Sequence, residues 1–256
     1  MTDRTVADLG EHALISRITT RLVMPGWVVV GPGDDAAVIE PERGTLDVVT
    51  TDALVDGVHF DRRFVPPDAI GHRALAANLS DLAAMGARPR AVLLSFVLPD
   101  SLEVACLDGI VDGLLALAGR YRVALIGGNI TRTPGPLTID ITAIGSVHRR
   151  RILRRSGARP GDDVYVTGSV GAAVAGLLSL RADLATPDDA DLVDCQQRYL
   201  RPDPRLRAGH LLAAHRAATA CMDLSDGLAD AARQVAAASG VGMRLDADLI
   251  PVPTRA

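Results

Sequence analysis

The sequence contains no lysine: all 27 positively charged side chains among its 256 residues are arginines. A phosphate-binding loop of the Walker type needs a lysine after its glycines, so the sequence excludes that way of binding a phosphate group. Any phosphate held by this chain must therefore be bound through metal ions, arginine side chains or backbone N–H groups.

Aromatic residues and cysteines are also scarce. Aromatics make up 3% of the chain, which leaves few rings for stacking nucleic-acid bases, and the net charge of −4 does not favour a polyanion, so we expect no nucleic-acid partner. The three cysteines, Cys106, Cys195 and Cys221, show neither zinc-ligand spacing nor a disulfide framework. We find no apolar run of membrane-spanning length and no signal-peptide pattern. We therefore expect a cytoplasmic protein with no membrane partner.

The sequence does contain two adjacent aspartates, Asp34 and Asp35, on a glycine–proline turn that runs into an apolar segment. Neighbouring like charges are unfavourable unless a cation compensates them, and Mg²⁺ prefers carboxylate oxygens. The same residues are also ordinary for a solvated turn before a strand. Similar acidic segments recur at 50–52, 78–81 and 223–227, each beside an apolar segment, and this recurrence favours the metal-binding interpretation.

Apolar periodicity predicts a chain in which strands and helices are mixed throughout. The predicted strands lie, in chain order, at 27–30, 46–51, 91–98, 123–126, 137–147, 164–168, 219–222 and 241–245. The predicted helices lie at 9–22, 69–85, 102–118, 171–180, 204–218 and 226–239. We expect the acidic segment 182–194 to be a surface connection, and the paired glycines at 127–128 to follow a strand as a turn or a close approach to a ligand.

These elements predict an α+β or mixed α/β fold. A dense basic run, 148–155, is either solvated surface or the boundary between two lobes. We interpret it as the boundary, which gives lobes at 1–148 and 149–256.

Six motifs occur in the order found in thiamine-monophosphate kinases, members of the AIR-synthetase superfamily, and the chain resembles that family over nearly its whole length. They are Gly33-Asp34-Asp35-Ala36, Thr50-Thr51-Asp52, Asp56-Gly57-Val58-His59-Phe60, the block from Asn78 to Gly86, Arg155-Ser156-Gly157-Ala158, and Asp223-Leu224-Ser225-Asp226-Gly227-Leu228. The block from Asn78 to Gly86 and the loop that contains His59 are the specific ones; the paired glycines are not.

The resemblance implies ATP-dependent phosphorylation of thiamine monophosphate to thiamine diphosphate by Mg²⁺-assisted in-line transfer. It implies a two-lobed AIR-synthetase-like fold. The N-terminal lobe, 1–148, would bind ATP and Mg²⁺ and carry a sheet that pairs across a homodimer. The C-terminal α/β lobe, 149–256, would be incomplete, since the family continues with a Gly-Glu-Asp-Tyr-Glu-type segment that helps to hold the thiamine end.

The resemblance also implies roles for individual residues. The Mg²⁺ ligands would be Asp35, Thr50, Thr51, Asp52, Asp81, Asp223 and Asp226, with Asp34 in the same turn counted among them. The ATP contacts would be Gly128, Asn129, Arg155 and Ser225. His59 would contact the thiamine substrate, and the developing charge would be stabilised by Mg²⁺ and Arg155 without a covalent intermediate.

One residue departs from the family pattern: Asn129 stands where the family usually has aspartate. Its amide oxygen can still ligate a metal ion, but it contributes no charge.

Two alternative functions remain open at this point. The protein could be another enzyme of the superfamily that phosphorylates a different acceptor, or a dimer that binds nucleotide without turnover.

Overall fold

The structure, a computed structural model, describes residues 4–182 and 190–253. The chain divides into two compact units, Met1–Asn78 with Pro89–Ser146 and Leu79–Arg88 with Val147–Ala256. We refer to them as the first unit and the second unit. Helices and strands are mixed along the chain, so the predicted mixed α/β class is confirmed.

In the described ranges the helices are α1 (Glu11–Thr19), α2 (Pro67–Ala84), α3 (Val104–Tyr121), α4 (Ala172–Arg181), α5 (Ala190–Leu200), α6 (Leu206–His215) and α7 (Leu228–Ser239). The strands are β1 (Val28–Val30), β2 (Val38–Ile39), β3 (Leu46–Val55), β4 (Arg88–Pro99), β5 (Ala124–Thr133) and β6 (Thr138–Val147). None of these helices is long and apolar enough to cross a membrane.

The first unit is built on a four-stranded sheet with the order β3-β6-β4-β5. Strands β4 and β5 are parallel neighbours joined through helix α3, because parallel strands need a crossover connection. Strand β3 lies at one edge of this sheet. Alternate side chains of β6 (Ile139, Ile141 and Ala143) are fully buried, which gives the period-two pattern of a strand with one face in the core.

A separate antiparallel hairpin, β1–β2, carries the acidic turn between its strands. Its apolar side chains pack against the buried residues Ala91, Ala124 and Ile126 of the sheet. The hairpin residues in this contact are Trp27, Val28, Ala37 and Ile39. Packing on the sheet therefore fixes the hairpin that presents Asp34 and Asp35.

Two strands of the first unit are longer than the sequence predicts. Strand β3 continues to Val55, so Asp52 lies inside the strand and not at its end. Strand β5 continues to Thr133, so Gly128 and Asn129 pair with β4 and do not form a turn. In both cases pairing with a neighbouring strand extends the element beyond its apolar run.

The second unit contains helices α4 to α7. The three strands predicted at 164–168, 219–222 and 241–245 are wrong: these described residues form neither helix nor strand. A strand is stabilised by a neighbour that satisfies its N–H and C=O groups, and composition alone does not supply one. Tyr165, in the first of these segments, is accordingly 85% exposed.

The predicted connection at 182–194 is wrong from residue 190 onward, where α5 begins; residues 183–189 lie outside the described part of the chain. Helix α5 was missed because its first residues are acidic and polar. Its buried side (Cys195, Tyr199 and Leu200) packs with α4, where the carbonyl of Cys195 lies against Gly176.

Candidate functional site

The acidic turn of the first unit is exposed and has a defined shape. Gly33 adopts φ +121°, a conformation that favours glycine, and the N–H of Asp35 donates to Oδ1 of Asp34 at 2.9 Å. Within the described chain, the Asp35 carboxylate has neither a hydrogen-bond donor nor an ion-pair partner. The turn therefore presents oxygen atoms that a cation can use.

The alternation of β3 separates the Thr50, Thr51 and Asp52 side chains. Thr50 and Asp52 are half-buried on one face of the strand, while Thr51 is exposed on the other. Oγ1 of Thr51 lies 2.9 Å from Oδ1 of Asp140 and 3.2 Å from Oγ1 of Thr142, both on β6. The structure thus brings Thr50 and Asp52 together and directs the Thr51 hydroxyl into a different network.

His59 is exposed on the loop after β3, and its backbone and ring are both tied to Val55. The N–H of His59 donates to the Val55 carbonyl at 2.9 Å, and the Val55 N–H donates to Nδ1 of His59 at 3.1 Å. Because Nδ1 is an acceptor, the neutral imidazole carries its proton on Nε2. Nearby, Nε of Arg62 donates to Oδ2 of Asp56 at 2.6 Å, which fixes the start of the loop. The loop therefore presents an N–H donor to a ligand.

Gly128 and Asn129 lie in β5 just after the irregularity in its pairing with β4. A Cβ atom on Gly128 would lie 1.8 Å from the carbonyl oxygen of Leu94, so sheet pairing itself requires glycine there. Asn129 is exposed and stands opposite Ser95. Its side chain is accessible from outside the sheet.

In the second unit, Arg155 is positioned by helix α7. Nη1 of Arg155 donates to Oε1 of Gln234 at 2.6 Å, and Nε2 of Gln234 donates to the Asp230 carboxylate. The N–H of Cys221 donates to the Arg154 carbonyl at 2.7 Å. These contacts bring the Arg155 segment beside the chain that leads into Asp223–Gly227.

The Asp223–Gly227 segment ends at the start of α7, with Gly227 as N-cap at φ +93°. Asp223 is half-buried, and Ser225 and Asp226 are exposed on the turn. The carboxylates of Asp223 and Asp226 have no hydrogen-bond or ion-pair partner among residues 4–182 and 190–253. As in the first unit, carboxylate oxygens are left available to a cation.

The loop 157–162 is held by polar contacts to two later segments. The N–H groups of Gly157 and Ala158 both donate to Oγ of Ser239, at 3.1 Å each. The Thr219 hydroxyl donates to Asp162 at 2.6 Å, and this bond, followed by the backbone bond from Arg159, lowers the pKa of the Asp162 carboxyl. The hydrogen bonds fix these loops although they form no strand.

The motif at the end of α2 combines a buried amide with a half-buried carboxylate. Asn78 is fully buried, and its Nδ2 donates back to the Ala74 carbonyl at 3.1 Å. Within the described part of the chain its Oδ1 has no partner. Asp81 is half-buried in the second unit. Asn78 thus acts within its own helix rather than at the surface.

The predicted Mg²⁺ ligands are distributed over both units. The first unit holds Asp34, Asp35, Thr50, Thr51 and Asp52, and the second unit holds Asp81, Asp223 and Asp226. Where residues are described, no three His, Cys, Asp or Glu side chains cluster closely enough to cage an ion. Mg²⁺ usually binds through one or two carboxylates plus waters and phosphate oxygens, whereas structural Zn²⁺ and Ca²⁺ sites use larger protein ligand sets. The donors present therefore fit Mg²⁺ bound together with a phosphate ligand.

Comparison with known proteins identifies the family. The profile for the N-terminal domain of AIR synthase related proteins matches residues 33–147, and that for the C-terminal domain matches residues 159–256. This chain belongs to the AIR synthase related family. Within that family, a thiamine-monophosphate kinase of Synechococcus elongatus is 40% identical over an alignment of 261 residues that covers 99% of this chain and 77% of that protein.

Solved structures agree with this family assignment. The crystal structure of thiamine-monophosphate kinase from Stenotrophomonas maltophilia superposes with a TM-score of 0.84 at 41% identity, covering 96% of this chain and 77% of that one. A structure of AaThiL complexed with AMPPCP and TMP gives a TM-score of 0.77 at 31% identity, covering 99% and 78%. The resemblance inferred from the motifs is confirmed, and this AIR synthase related chain spans about three quarters of the length of these relatives.

Sequence reasoning missed residues that position the predicted ones. Gln234 holds Arg155, and Asp140 engages Thr51, yet neither lies in a recognised motif. The alternation of β6 gave a signal for Asp140, since it places that residue on the face away from the core. No sequence pattern pointed to Gln234, because its partner, Arg155, lies 79 residues earlier in the chain.

Proposed function

We infer that this protein phosphorylates thiamine monophosphate to thiamine diphosphate with ATP as the phosphate donor. The observation that carries this inference is the identity of 40–42% to thiamine-monophosphate kinases over 94–99% of the chain. The AMPPCP and TMP bound in the related AaThiL structure support ATP and thiamine monophosphate as the two substrates.

We further propose that the oxygen donors predicted from the sequence ligate Mg²⁺: Asp34, Asp35, Thr50, Asp52, Asp81, Asp223 and Asp226. Thr51 is left out of this proposal, because its hydroxyl contacts Asp140 and Thr142 on the opposite face of β3. When bound, Mg²⁺ neutralises charge on the phosphate oxygens of donor and acceptor, which are both anions. The open carboxylates of Asp35, Asp223 and Asp226 support this role. In such a site these side chains hold and orient charge, and none of them forms a covalent intermediate.

We propose that ATP is contacted by four residues: Arg155, Ser225, Gly128 and Asn129. Gln234 holds the Arg155 guanidinium in a fixed direction, and arginine stays charged at any relevant pH. Arg155 can therefore stabilise charge that develops on the transferred phosphoryl group. Asn129 offers an amide oxygen without adding charge.

His59 is proposed to contact thiamine monophosphate. Its Nδ1 is occupied by the Val55 N–H, so Nε2 is the atom that faces a ligand. A neutral imidazole with this tautomer donates one hydrogen bond and does not act as a base from that atom. We therefore assign His59 to binding and not to proton transfer.

We propose that the protein works as a homodimer of two-lobed chains, with lobes 1–148 and 149–256. The separate domain matches at 33–147 and 159–256 support the two lobes. The edge position of β3 supports strand pairing between subunits, since an open edge presents unpaired backbone groups and Val49 on this strand is 61% exposed. The cytoplasmic location stays a prediction.

The test of function is ADP release by the purified chain with ATP, Mg²⁺ and thiamine monophosphate. We expect turnover with this acceptor and not with other small acceptors in a panel. Turnover only with a different acceptor would identify another enzyme of the superfamily, and Mg-ATP binding without ADP release would identify a nucleotide-binding protein.

The matched variants Asp52→Asn and Asp47→Asn test the metal assignment. Both residues lie on β3, but Asp52 is half-buried and Asp47 is exposed on the opposite face. We expect Asp52→Asn to lower Mg²⁺-dependent turnover at least about tenfold and Asp47→Asn to leave it unchanged. Equal turnover of both variants at limiting Mg²⁺ would remove Asp52 from the metal site.

A further inference from the structure

Arg90 is a buried arginine on β4, with only 6% of its surface exposed. Its guanidinium carbon lies 4.6 Å from the centre of the Trp27 ring, and its Nη2 donates to the Glu40 carbonyl at 2.7 Å. Nη1 is buried and has no hydrogen-bond partner among the described residues. Burying a charged group is unfavourable unless specific contacts compensate it, so the position of this side chain needs an explanation.

The two contacts of Arg90 lie at the base of the β1–β2 hairpin. Trp27 immediately precedes β1 and Glu40 immediately follows β2. The N–H of Glu40 donates to the Trp27 carbonyl at 2.8 Å, which closes the hairpin. One guanidinium therefore contacts both chain ends of the element whose turn carries Asp34 and Asp35.

The hairpin depends on such outside contacts. Its strands have three and two residues, and their register consists of the pairs Val28↔Ile39 and Val30↔Val38. An isolated two-stranded hairpin is marginally stable in water, so its direction is set by what it packs against. The apolar contact with the sheet holds one side, and Arg90 adds a polar contact at the base.

We propose that Arg90 is a positioning residue for the acidic turn: it fixes the hairpin so that Asp34 and Asp35 are presented to Mg²⁺ in one orientation. This rests on the proposed role of that turn. A guanidinium suits the task because its flat face stacks on an aromatic ring while an N–H at its edge donates to a carbonyl. An ammonium group has no flat face and makes the two contacts less well.

The experiment compares Arg90→Met and Arg90→Lys with the unchanged protein, and uses Arg120→Met as the matched control. Arg120 also stacks on an aromatic ring, that of Tyr121 at 5.2 Å, but on helix α3 and not on the hairpin. Trp27 is the single tryptophan of the chain, so its fluorescence reports the base of the hairpin directly.

For Arg90→Met we expect a shifted Trp27 emission maximum and an increase of about tenfold in the Mg²⁺ concentration for half-maximal turnover, equivalent to about 1.4 kcal/mol. The KM for thiamine monophosphate should stay within about twofold, because Arg90 is buried at the base of the hairpin and is not among the residues proposed to bind that substrate. The Mg²⁺ requirement of Arg90→Lys should lie between those of Arg90→Met and the unchanged protein. That of Arg120→Met should match the unchanged protein.

An unchanged Mg²⁺ requirement and unchanged Trp27 emission in Arg90→Met would overturn the proposal, as would equal loss in Arg90→Met and Arg120→Met. If Arg90→Met does not fold by circular dichroism, Arg90→Lys decides by the same criteria. If the unchanged protein shows no turnover, the proposed function fails separately. Calorimetric Mg²⁺ titration in the presence of ATP then tests the positioning role of Arg90. Equal Mg²⁺ affinities in Arg90→Met and the unchanged protein would overturn that role.

Discussion

Replacing Gly113 by alanine should force helices α2 and α3 apart. The two helices approach so closely that a Cβ atom on Gly113 would lie 1.8 Å from the carbonyl oxygen of Asp68 and 2.6 Å from its carbonyl carbon. On the facing helix, a Cβ on Gly71 would lie 1.8 Å from the carbonyl oxygen of Ile110. The obstacle in both directions is backbone, which cannot rotate away as a side chain can.

The clash sets the size of the effect. Contacts of Cβ atoms below 3.0 Å are essentially never seen, so the helices must separate by more than an ångström at this point. Overpacking of this kind costs about 1–3 kcal/mol, and the higher helix propensity of alanine offsets up to about 1 kcal/mol. We expect a net loss of about 1–2 kcal/mol, which for a chain of this size lowers the melting temperature by roughly 2–8 °C.

Gly119→Ala on the same helix is the matched control. Gly119 is exposed and has no atom within 4 Å of the added methyl group, so helix propensity alone applies. We expect Gly119→Ala to raise stability by up to about 1 kcal/mol. Thermal and urea unfolding of the two variants measure the difference. A Gly113→Ala protein as stable as Gly119→Ala would show that the helices do not pack as described.

Two further predictions concern the proposed site, and a third concerns the thiol of Cys106. Thr50→Val should raise the Mg²⁺ concentration for half-maximal turnover more than Thr51→Val, because Thr50 shares the half-buried face of β3 with Asp52 whereas Thr51 lies on the opposite face; equal effects would contradict that separation. Asn129→Asp adds a carboxylate and should keep or improve Mg²⁺ affinity by calorimetry, whereas a clear loss would show that the neutral side chain is required. Burial raises the pKa of the Cys106 thiol, while Arg62 acts in the opposite direction. The iodoacetamide reaction should therefore reach half its maximal rate above the ordinary cysteine value of about 8.5, and higher still in Arg62→Met; an equal or lower midpoint in the variant would refute the role of Arg62.

The candidate site was predictable where its chemistry is local. Residue type alone identifies oxygen donors on two glycine-containing turns, whatever surrounds them. These donors are Asp34 and Asp35 on one turn and Ser225 and Asp226 on the other. The exclusion of a lysine-containing phosphate loop needed nothing but composition. Helix α2 was predicted to within two residues at its start and one at its end, because periodicity and the preceding prolines mark its limits.

The predicted strands of the second unit show where such reasoning stops. The segments at 164–168, 219–222 and 241–245 have strand-like composition, but strand formation requires a partner that composition does not specify. The same limit applies to Gly128. In the sequence it is one of two ordinary glycines, and only pairing with β4 shows that no larger residue fits beside Leu94.

By itself the sequence determined which side chains can bind a cation and which family the chain belongs to, because both depend on residue type and order. The tertiary structure alone decided that the Thr51 hydroxyl contacts Asp140, that Gln234 holds Arg155, and that Arg90 reaches both ends of a hairpin. These are contacts between groups far apart in the chain. Their geometry depends on how the backbones pack and pair, and no local pattern encodes it.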